Sequence, residues 1–211
     1  MPTPIFDINC TQCPRLAAFL EQVRSKHPDY HARPVAPFGD PAARLLIVGL
    51  APGYHGANAS GRPFTGDYAG ILLYETLYEF GFASAPESRH KDDGLELHNC
   101  RISNAVKCLP PQNKPTGDEI NTCNPFIKNE IESLAPGSVL LALGGIAHNA
   151  VLKTLGYKLS PYKFGHGAEH RLGELTMVDS YHCSRYNTQT RRLTPAMFKQ
   201  VFARVKQLLD D

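Results

Sequence analysis

Short runs of apolar residues recur along the chain, and longer amphipathic segments lie between them. Four runs of strand length predict strands at Leu45–Leu50, Ile102–Val106, Val139–Leu143 and Thr176–Ser180. Five further segments predict helices at Pro14–Lys26, Gly70–Phe80, Thr116–Leu134, Gly145–Leu155 and Thr194–Leu209. Strands that are separated by helices indicate a parallel sheet with helices on both of its faces.

Local signals define two of the helix starts. Thr116 and Glu119 form a capping-box pattern, and Thr194 precedes a proline that suits the first helical position. Two segments lack a regular pattern because they are polar or rich in glycine. We expect Ala83–His98 to be a surface loop, and Tyr157–Gly173 to be a loop or a small hairpin.

Length and composition suit one domain over residues 1–211, since 42% of the 211 residues are hydrophobic and can form a sizeable core. The formal net charge of +2 predicts no broad basic surface, so any nucleic-acid role would depend on specific loops. No apolar run approaches the roughly 18 residues that span a membrane, and the N-terminus lacks an export pattern. We therefore expect a soluble, cytoplasmic protein.

The most informative segment is Gly49–Gly70, which follows the first predicted strand. It is rich in glycine and poor in charge, unlike an ordinary surface loop. Ligands bind at the carboxyl ends of strands in open α/β sheets, so this segment predicts the floor of an active site. It lacks the Gly-Lys-Ser/Thr ending of a phosphate-binding loop, which disfavours a nucleotide hydrolase.

The cysteines suggest a ligand set more than a disulfide scaffold, because the chain is long and cysteine-sparse. Cys10 and Cys13 are separated by two residues, and Cys108 and Cys123 by fourteen. Four thiolates could converge on zinc or on a [4Fe-4S] cluster, and the spacing does not separate these two. The alternative is that these thiols are unrelated. Cys100, beside an apolar strand, predicts a buried core thiol.

Three blocks in chain order carry a resemblance to a known family. They are Gly49–Gly53 continuing to Gly61–Asp67, Asn104–Cys108 with Pro110–Pro115, and His182–Asn187. Together they resemble the signature blocks of the family 5 (type B) uracil-DNA glycosylases, and the similarity spans nearly the whole chain. The resemblance implies a three-layer α/β/α sandwich with a central four-stranded, mainly parallel sheet. It also implies a [4Fe-4S] cluster on Cys10, Cys13, Cys108 and Cys123, and hydrolytic excision of uracil from DNA.

Two residues in these blocks are the predicted catalytic groups. His182 would donate a hydrogen bond to uracil O2 as negative charge develops on the departing base. Asp67, the one carboxylate in the glycine-rich segment, would orient water or stabilise the sugar cation, and it equally suits the cap of a helix. Members of the family usually have proline after this histidine; here Cys183 leaves the backbone less restricted.

Five residues are expected to contact the extruded base. Phe64 would stack on it, with core packing as the alternative, and Asn104 offers a donor and an acceptor to a pyrimidine edge. The other three lie in the glycine-rich segment: Ala51, Gly53 and His55. Ala51 stands where other uracil glycosylases carry an acidic or amide group. We therefore expect hypoxanthine, xanthine or ethenocytosine to be accepted beside uracil.

The stretch from residue 182 to 194 is expected to be a loop that presses into the minor groove of DNA. The predicted DNA-binding residues are Ser184, Arg185, Tyr186, Asn187 and Arg191, whose side chains are typical phosphate ligands or can fill the gap left by a flipped nucleotide. We expect the protein to act on DNA as a monomer. The remaining alternative is a zinc-stapled, non-enzymatic nucleic-acid-binding module. His166 is expected to line the pocket, and glycines around it disfavour a metal pair with His170.

Overall fold

The computed structural model describes residues 6–210, which form one six-stranded sheet with helices packed on it. In chain order the elements are α1 (Pro14–Lys26), β1 (Phe38–Gly39), β2 (Leu45–Gly49), α2 (Ala57–Ser60), α3 (Tyr68–Glu79), β3 (Cys100–Asn104), α4 (Gly117–Glu132), β4 (Val139–Leu143), α5 (Gly145–Thr154), β5 (Glu169–Leu172), β6 (Leu175–Ser180), α6 (Arg185–Gln189) and α7 (Pro195–Asp210). None of the helices in this range is both long and apolar enough to cross a membrane.

The sheet has the order β1-β3-β2-β4-β6-β5, and its four central strands are parallel. These are the four predicted strands, although the second begins and ends two residues earlier than expected. The expected strand number was wrong because β1 and β5 add antiparallel edges. Neither edge has an apolar run: β1 contains two residues, and β5 reads Glu-His-Arg-Leu. The predicted loop or hairpin at residues 157–173 thus ends in the first strand of a hairpin with β6.

The two faces of the sheet pack against different helices. Leu45 and Ile47 of β2 belong to a buried cluster that includes residues of α3 and α7. Leu46 and Val48, which point the opposite way, belong to a cluster with residues of α4 and α5. Every residue of β2 is buried, as a central parallel strand requires. The three-layer α/β/α arrangement is therefore confirmed.

Both predicted helix caps are present. Thr116 Oγ1 accepts from Glu119 N at 3.2 Å while Glu119 Oε2 accepts from Thr116 N at 2.8 Å, and Thr194 Oγ1 accepts from Met197 N at 3.2 Å. The expectation of a simple surface loop at residues 83–98 was wrong in part. Leu95 and Leu97 of this stretch are buried in the core, so two apolar residues anchor an otherwise polar segment.

The parallel strands bring three chain segments to one edge of the sheet. Gly49 at the end of β2 pairs with Asn104 at the end of β3, and Ser180 at the end of β6 pairs with Leu143 of β4. The glycine-rich segment and His182 follow directly from these strand ends. The topology alone therefore places the predicted site residues of distant blocks on the same edge.

Candidate active site

A cavity of about 590 Å³ opens at the carboxyl ends of the central strands. It gathers most of the residues that the sequence analysis singled out, and those that line it are Ala51, Gly53, His55, Phe64, Asp67, Asn104, His182, Ser184 and Arg185. Tyr186, Asn187 and Arg191 do not line it, and neither does His166. The expectation that His166 lines the pocket was therefore wrong.

Two rings form the aromatic side of the cavity. Phe64 and His182 stack with their centroids 5.8 Å apart and their planes 28° from parallel. Phe64 has a φ of +53°, which is costly for a residue with a side chain and persists only where the surroundings impose it. Two glycines make the arrangement possible: a Cβ on Gly49 would lie 2.8 Å from the Phe64 ring, and a Cβ on Gly70 would lie 1.9 Å from the Phe64 carbonyl oxygen.

His182 is an uncharged imidazole at neutral pH. Burial lowers its pKa to about 4, because a charged ring would lose its hydration there. The backbone at this position is held by Asn187, whose Nδ2 donates to the His182 carbonyl at 2.8 Å. A neutral imidazole can still donate one N–H, so the ring can act as a hydrogen-bond donor without bringing a positive charge into the cavity.

Asp67 is the N-cap of α3 and also reaches the cavity. Its Oδ1 accepts from Gly70 N at 2.9 Å, so the capping interpretation of this residue is confirmed. Its Oδ2 lies close to the glycine-rich loop, 3.5 Å from where a Cβ of Gly53 would stand and 2.6 Å from one on Gly56. Burial raises the pKa of the carboxyl group, and hydrogen bonds from the backbone of Gly70 and Ala69 oppose that shift. One oxygen can therefore cap the helix while the other faces the cavity.

Asn104 presents an unfilled hydrogen-bonding group at the base of the cavity. The residue is 4% exposed, and its Oδ1 has no hydrogen-bond partner among the residues that the structure describes. Gly49 leaves the room for this amide, since a Cβ there would lie 2.4 Å from Oδ1. A buried amide oxygen without a partner is costly, and a ligand N–H would satisfy it.

The rim contains residues that the sequence analysis did not assign to the site. Asn113 lines the cavity from the turn after β3 and has a φ of +55°, and Tyr68 lines it from the first turn of α3. His55, an expected site residue, is exposed on the rim, where Tyr30 Oη and His55 Nδ1 are hydrogen-bonded at 2.8 Å. Asn113 lies inside the Pro110–Pro115 block. The family resemblance of that block was the one feature of the sequence that could have placed Asn113 at the site.

The predicted DNA-binding segment is not a loop throughout, because residues 185–189 form helix α6. Ser184 is the N-cap of this helix and accepts from Asn187 N at 3.4 Å. A serine that precedes a short polar segment is a typical cap, so the helix start was readable from the sequence. Arg185 lies over the Tyr68 ring at 5.9 Å, and Tyr186 is 71% exposed.

Four cysteines meet in a second, small cavity. Cys10, Cys13, Cys108 and Cys123 all line it, beside residues of α1 and α4. Burial and the neighbouring thiols raise the pKa of Cys13 to about 11 and raise that of Cys108 further. Thiols so close together resist ionisation unless a cation compensates their charge. Cys100 is fully buried in the core, as expected.

The four cysteines form a donor set that metals bind well. Four thiolates at one place suit zinc and a [4Fe-4S] cluster alike.

Comparison with known proteins decides the family. The model of the uracil DNA glycosylase superfamily matches residues 36–206. The chain belongs to this superfamily. A type-5 uracil-DNA glycosylase of Thermus thermophilus is 46% identical over 205 residues, which cover 94% of this chain and 93% of the relative. The type-5 enzyme of Pyrobaculum aerophilum is 40% identical, with 93% and 88% covered, and a type-4 enzyme of Sulfurisphaera tokodaii is 29% identical, with 77% and 70% covered.

The family that the three sequence blocks indicated is thus confirmed, and so are the fold class and the class of enzyme, a DNA glycosylase. The structure adds the geometry: the blocks converge on one cavity although His182 lies 133 positions after Gly49 in the chain. The roles of individual residues stay predictions.

Proposed function

We propose that this protein excises uracil from DNA by hydrolysing the N-glycosidic bond, leaving an abasic site. The observation that carries the proposal is a single cavity that combines an aromatic face, an amide oxygen with no partner in the described part of the chain and a neutral imidazole. An extruded base needs a surface to stack on and groups that recognise its edge. Membership of the uracil DNA glycosylase superfamily supports the same activity.

Phe64 and Asn104 would hold the base. The Phe64 ring replaces part of the stacking that the base loses when it leaves the duplex, worth about 1–3 kcal/mol. Asn104 carries a donor and an acceptor, and uracil presents the complementary N3–H and O4 on one edge. Ala51, Gly53 and His55 complete the wall from the glycine-rich segment.

His182 would stabilise the leaving group. Cleavage of the bond leaves negative charge on the base and positive charge on the deoxyribose, as in other glycosyl transfers. A preorganised N–H donor aimed at the developing anion lowers the barrier, and the neutral state of His182 provides such a donor over the physiological pH range.

Asp67 would act on the sugar side of the reaction. Its raised pKa reflects a desolvated carboxyl group, and an ionised carboxylate there would favour the cationic sugar or orient the attacking water. The cap on α3 fixes its χ angles through Gly70 N, so the same hydrogen bond that starts the helix also orients the reactive group.

We propose that DNA is contacted by Arg185, Tyr186 and Arg191, because these residues are exposed near the mouth of the cavity or just beyond α6. Ser184 and Asn187 have structural partners, so their expected contribution is to hold α6 and the His182 backbone. We propose that Tyr186, with most of its ring in solvent, fills the gap left by the flipped nucleotide. We also propose that the protein acts as a monomer in the cytoplasm.

The proposed range of substrates extends to hypoxanthine, xanthine and ethenocytosine. Ala51 lines the cavity with a methyl group where an acidic or amide side chain would enforce a single base. Incubation of the enzyme with an inosine-containing duplex tests this extension separately. If uracil is released and hypoxanthine is not, the wider range is wrong and the main proposal stands.

We further propose that Cys10, Cys13, Cys108 and Cys123 bind a [4Fe-4S] cluster. Such a group would supply cationic iron to the four thiolates and tie the segment before α1 to α4; base removal needs no redox step from it. The protein should absorb broadly near 400 nm and contain about four irons and four sulfides. Cys108→Ser should lose this absorbance, whereas Cys100→Ser, at a buried core thiol, should keep it. Stoichiometric zinc in place of iron would favour the zinc-stapled binding module.

The decisive test of the activity uses an oligonucleotide with one uracil, followed by alkali and a denaturing gel. The wild type should produce a strand break at the uracil, and Asn104→Ala and Asp67→Ala should reduce it. A folded wild type that leaves the oligonucleotide intact would refute the proposed function. His98→Ala, at an exposed histidine outside the cavity, is the matched control and should retain wild-type activity.

A further inference from the structure

A second cluster of buried polar groups lies just behind the catalytic edge. Asp179 of β6 is fully buried, three residues before His182 in the chain. His148 of α5 donates from Nδ1 to Asp179 Oδ1 at 2.8 Å, and His170 of β5 donates from Nε2 to Asp179 Oδ2 at 3.1 Å. Gly165 N is a further donor to Oδ2 at 3.3 Å. Three separate chain segments therefore converge on one carboxylate.

His148 is bonded through both of its ring nitrogens. Its Nε2 donates to the Tyr162 carbonyl at 3.1 Å, while Nδ1 faces the carboxylate. A carbonyl and a carboxylate only accept, so the geometry gives each ring nitrogen an acceptor and suits a hydrogen on both. The pair ties α5 and β6 to the beginning of the segment 162–168.

The cluster has the composition of a metal site, but its geometry fits hydrogen bonds better. Two ligand atoms on one tetrahedral zinc, each at about 2.0–2.1 Å, would lie ~3.3 Å apart. The observed separations of 2.8 and 3.1 Å are shorter and are ordinary for charge-assisted hydrogen bonds. Among the described residues, the buried side-chain atoms that have no partner do not include any from this cluster.

The segment held by Asp179 contacts the backbone that leads to His182. Gly167 N donates to the Asp179 carbonyl at 2.8 Å, and Asp179 N donates to the Ala168 carbonyl at 2.9 Å. Between these anchors, His166 Nδ1 accepts from Tyr181 N at 3.1 Å, and the two rings stack 5.1 Å apart. Burial lowers the pKa of His166, which keeps the ring neutral and able to accept.

We propose that Asp179 is a positioning residue for His182. Held between His148 and His170, it fixes the segment 162–168, and His166 of that segment fixes the peptide N–H of Tyr181 directly before the catalytic histidine. The inference rests on the proposed excision of uracil, because His182 is the group that is positioned. It assigns a role in the reaction to four residues that lie outside the cavity.

The test separates positioning from binding and from folding. We would measure the single-turnover rate of uracil release at saturating enzyme, and the Kd for DNA that carries a non-hydrolysable 2′-fluoro-deoxyuridine. Asp179→Asn and His166→Ala should each lower the rate at least tenfold and change the Kd less than threefold. His166→Asn, whose amide oxygen can replace the Nδ1 acceptor, should recover most of the rate. His98→Ala should behave as the wild type.

Two results would overturn the proposal. One is a folded His166→Ala variant whose rate is within twofold of the wild type. This variant keeps the proposal testable even if Asp179→Asn fails to fold. The other is a rate loss in the Asp179→Asn/His166→Ala double variant that equals the sum of the two single losses in activation free energy, since residues that act through one segment should be non-additive. An inactive wild type would instead show that the proposed function itself has failed.

A measurement without substrate tests the hydrogen-bonded form. In protein labelled with ¹⁵N-histidine, both ring N–H protons of His148 should be visible and slow to exchange at pH 7, and they should be lost in Asp179→Asn. One equivalent of zinc that is present in the wild type and absent from Asp179→Asn would overturn the hydrogen-bonded cluster in favour of a metal site.

Discussion

The cavity at the strand ends and the Asp179 cluster are neighbouring buried polar regions in opposite states. In the cavity, Asn104 Oδ1 has no partner within residues 6–210, and burial shifts the pKa of His182 and raises that of Asp67. In the cluster, both carboxylate oxygens of Asp179 accept hydrogen bonds. The unfilled capacity at Asn104 is therefore available to a ligand in the cavity, whereas the filled capacity at Asp179 holds chain segments together.

The backbone shows the same contrast. Phe64 adopts a φ of +53° at the cavity, and two glycines are needed to let its ring and carbonyl approach. The strand that carries Asp179 pairs regularly with β4 and β5. Strain at the cavity is compensated by the packing around it, and the regular strand provides the fixed support.

The largest expected effect is that of His182→Ala. Loss of one preorganised donor to a developing anion typically costs about 10²–10³ in rate. Because the ring lies at the cavity and not in a hydrogen-bonded cluster, the thermal unfolding midpoint should change little. Single-turnover kinetics and a melting curve on the same sample check both statements, and a rate within threefold of the wild type would remove His182 from the mechanism.

Asn104→Ala and Asp179→Ala should differ in what they cost the stability of the fold. Removal of the Asn104 amide should lower uracil release about tenfold or more, yet cost less than about 1 kcal/mol of folding free energy, because its oxygen has no partner to lose. Asp179→Ala leaves the buried His148 and His170 without their shared acceptor and should cost on the order of 3 kcal/mol. Urea unfolding measures the difference. Equal losses of stability would contradict the distinction between the two regions.

Gly56→Ala should reduce activity by about tenfold through Asp67. An added Cβ would lie 2.6 Å from the Asp67 carboxylate, so the carboxyl group must move by a fraction of an ångström, and such displacements of reacting groups are costly. Gly117→Ala is the matched control, because its Cβ would meet no atom within 4 Å. If both variants keep the wild-type rate, the exact position of Asp67 does not matter to the reaction.

The smallest expected effects concern pH. The folded-state pKa of His182, about 4, lies below its ordinary value of 6.5, so the unfolded chain binds the proton more readily. The stabilisation from neutral His182 is therefore complete above pH 6.5 and is lost as the pH falls toward 4. The melting temperature of the wild type should fall more steeply over this window than that of His182→Gln. Parallel pH profiles for the two proteins would contradict the shifted pKa.

The rate should have an acidic limb that comes from Asp67. Its protonation begins at a higher pH than for an ordinary aspartate, because burial raises its pKa. A protonated Asp67 no longer stabilises the sugar cation, so the single-turnover rate should fall with acid. In Asp67→Asn the remaining activity should lose this limb. A limb that is unchanged in this variant would assign it to another group.

The sequence alone determined the family, the four central strands and most residues of the cavity. Apolar runs show where strands are buried on both faces, and parallel strands must bring their carboxyl ends to one edge. The blocks that carry Asp67, Asn104 and His182 could therefore be assigned to one site in advance. The cap at Thr116 and the core thiol at Cys100 are equally local signals, and the structure confirms both.

Only the tertiary structure decided which polar residues serve the cavity and which support it. Ser184 caps α6 while it lines the cavity, Asn187 donates to the His182 carbonyl, and His166 accepts from Tyr181 N instead of lining the pocket. The pairing of His148 with Asp179 joins residues 31 positions apart on a helix and a strand. No sequence period encodes such contacts, because whether a buried polar atom is satisfied depends on the distances between elements that folding sets.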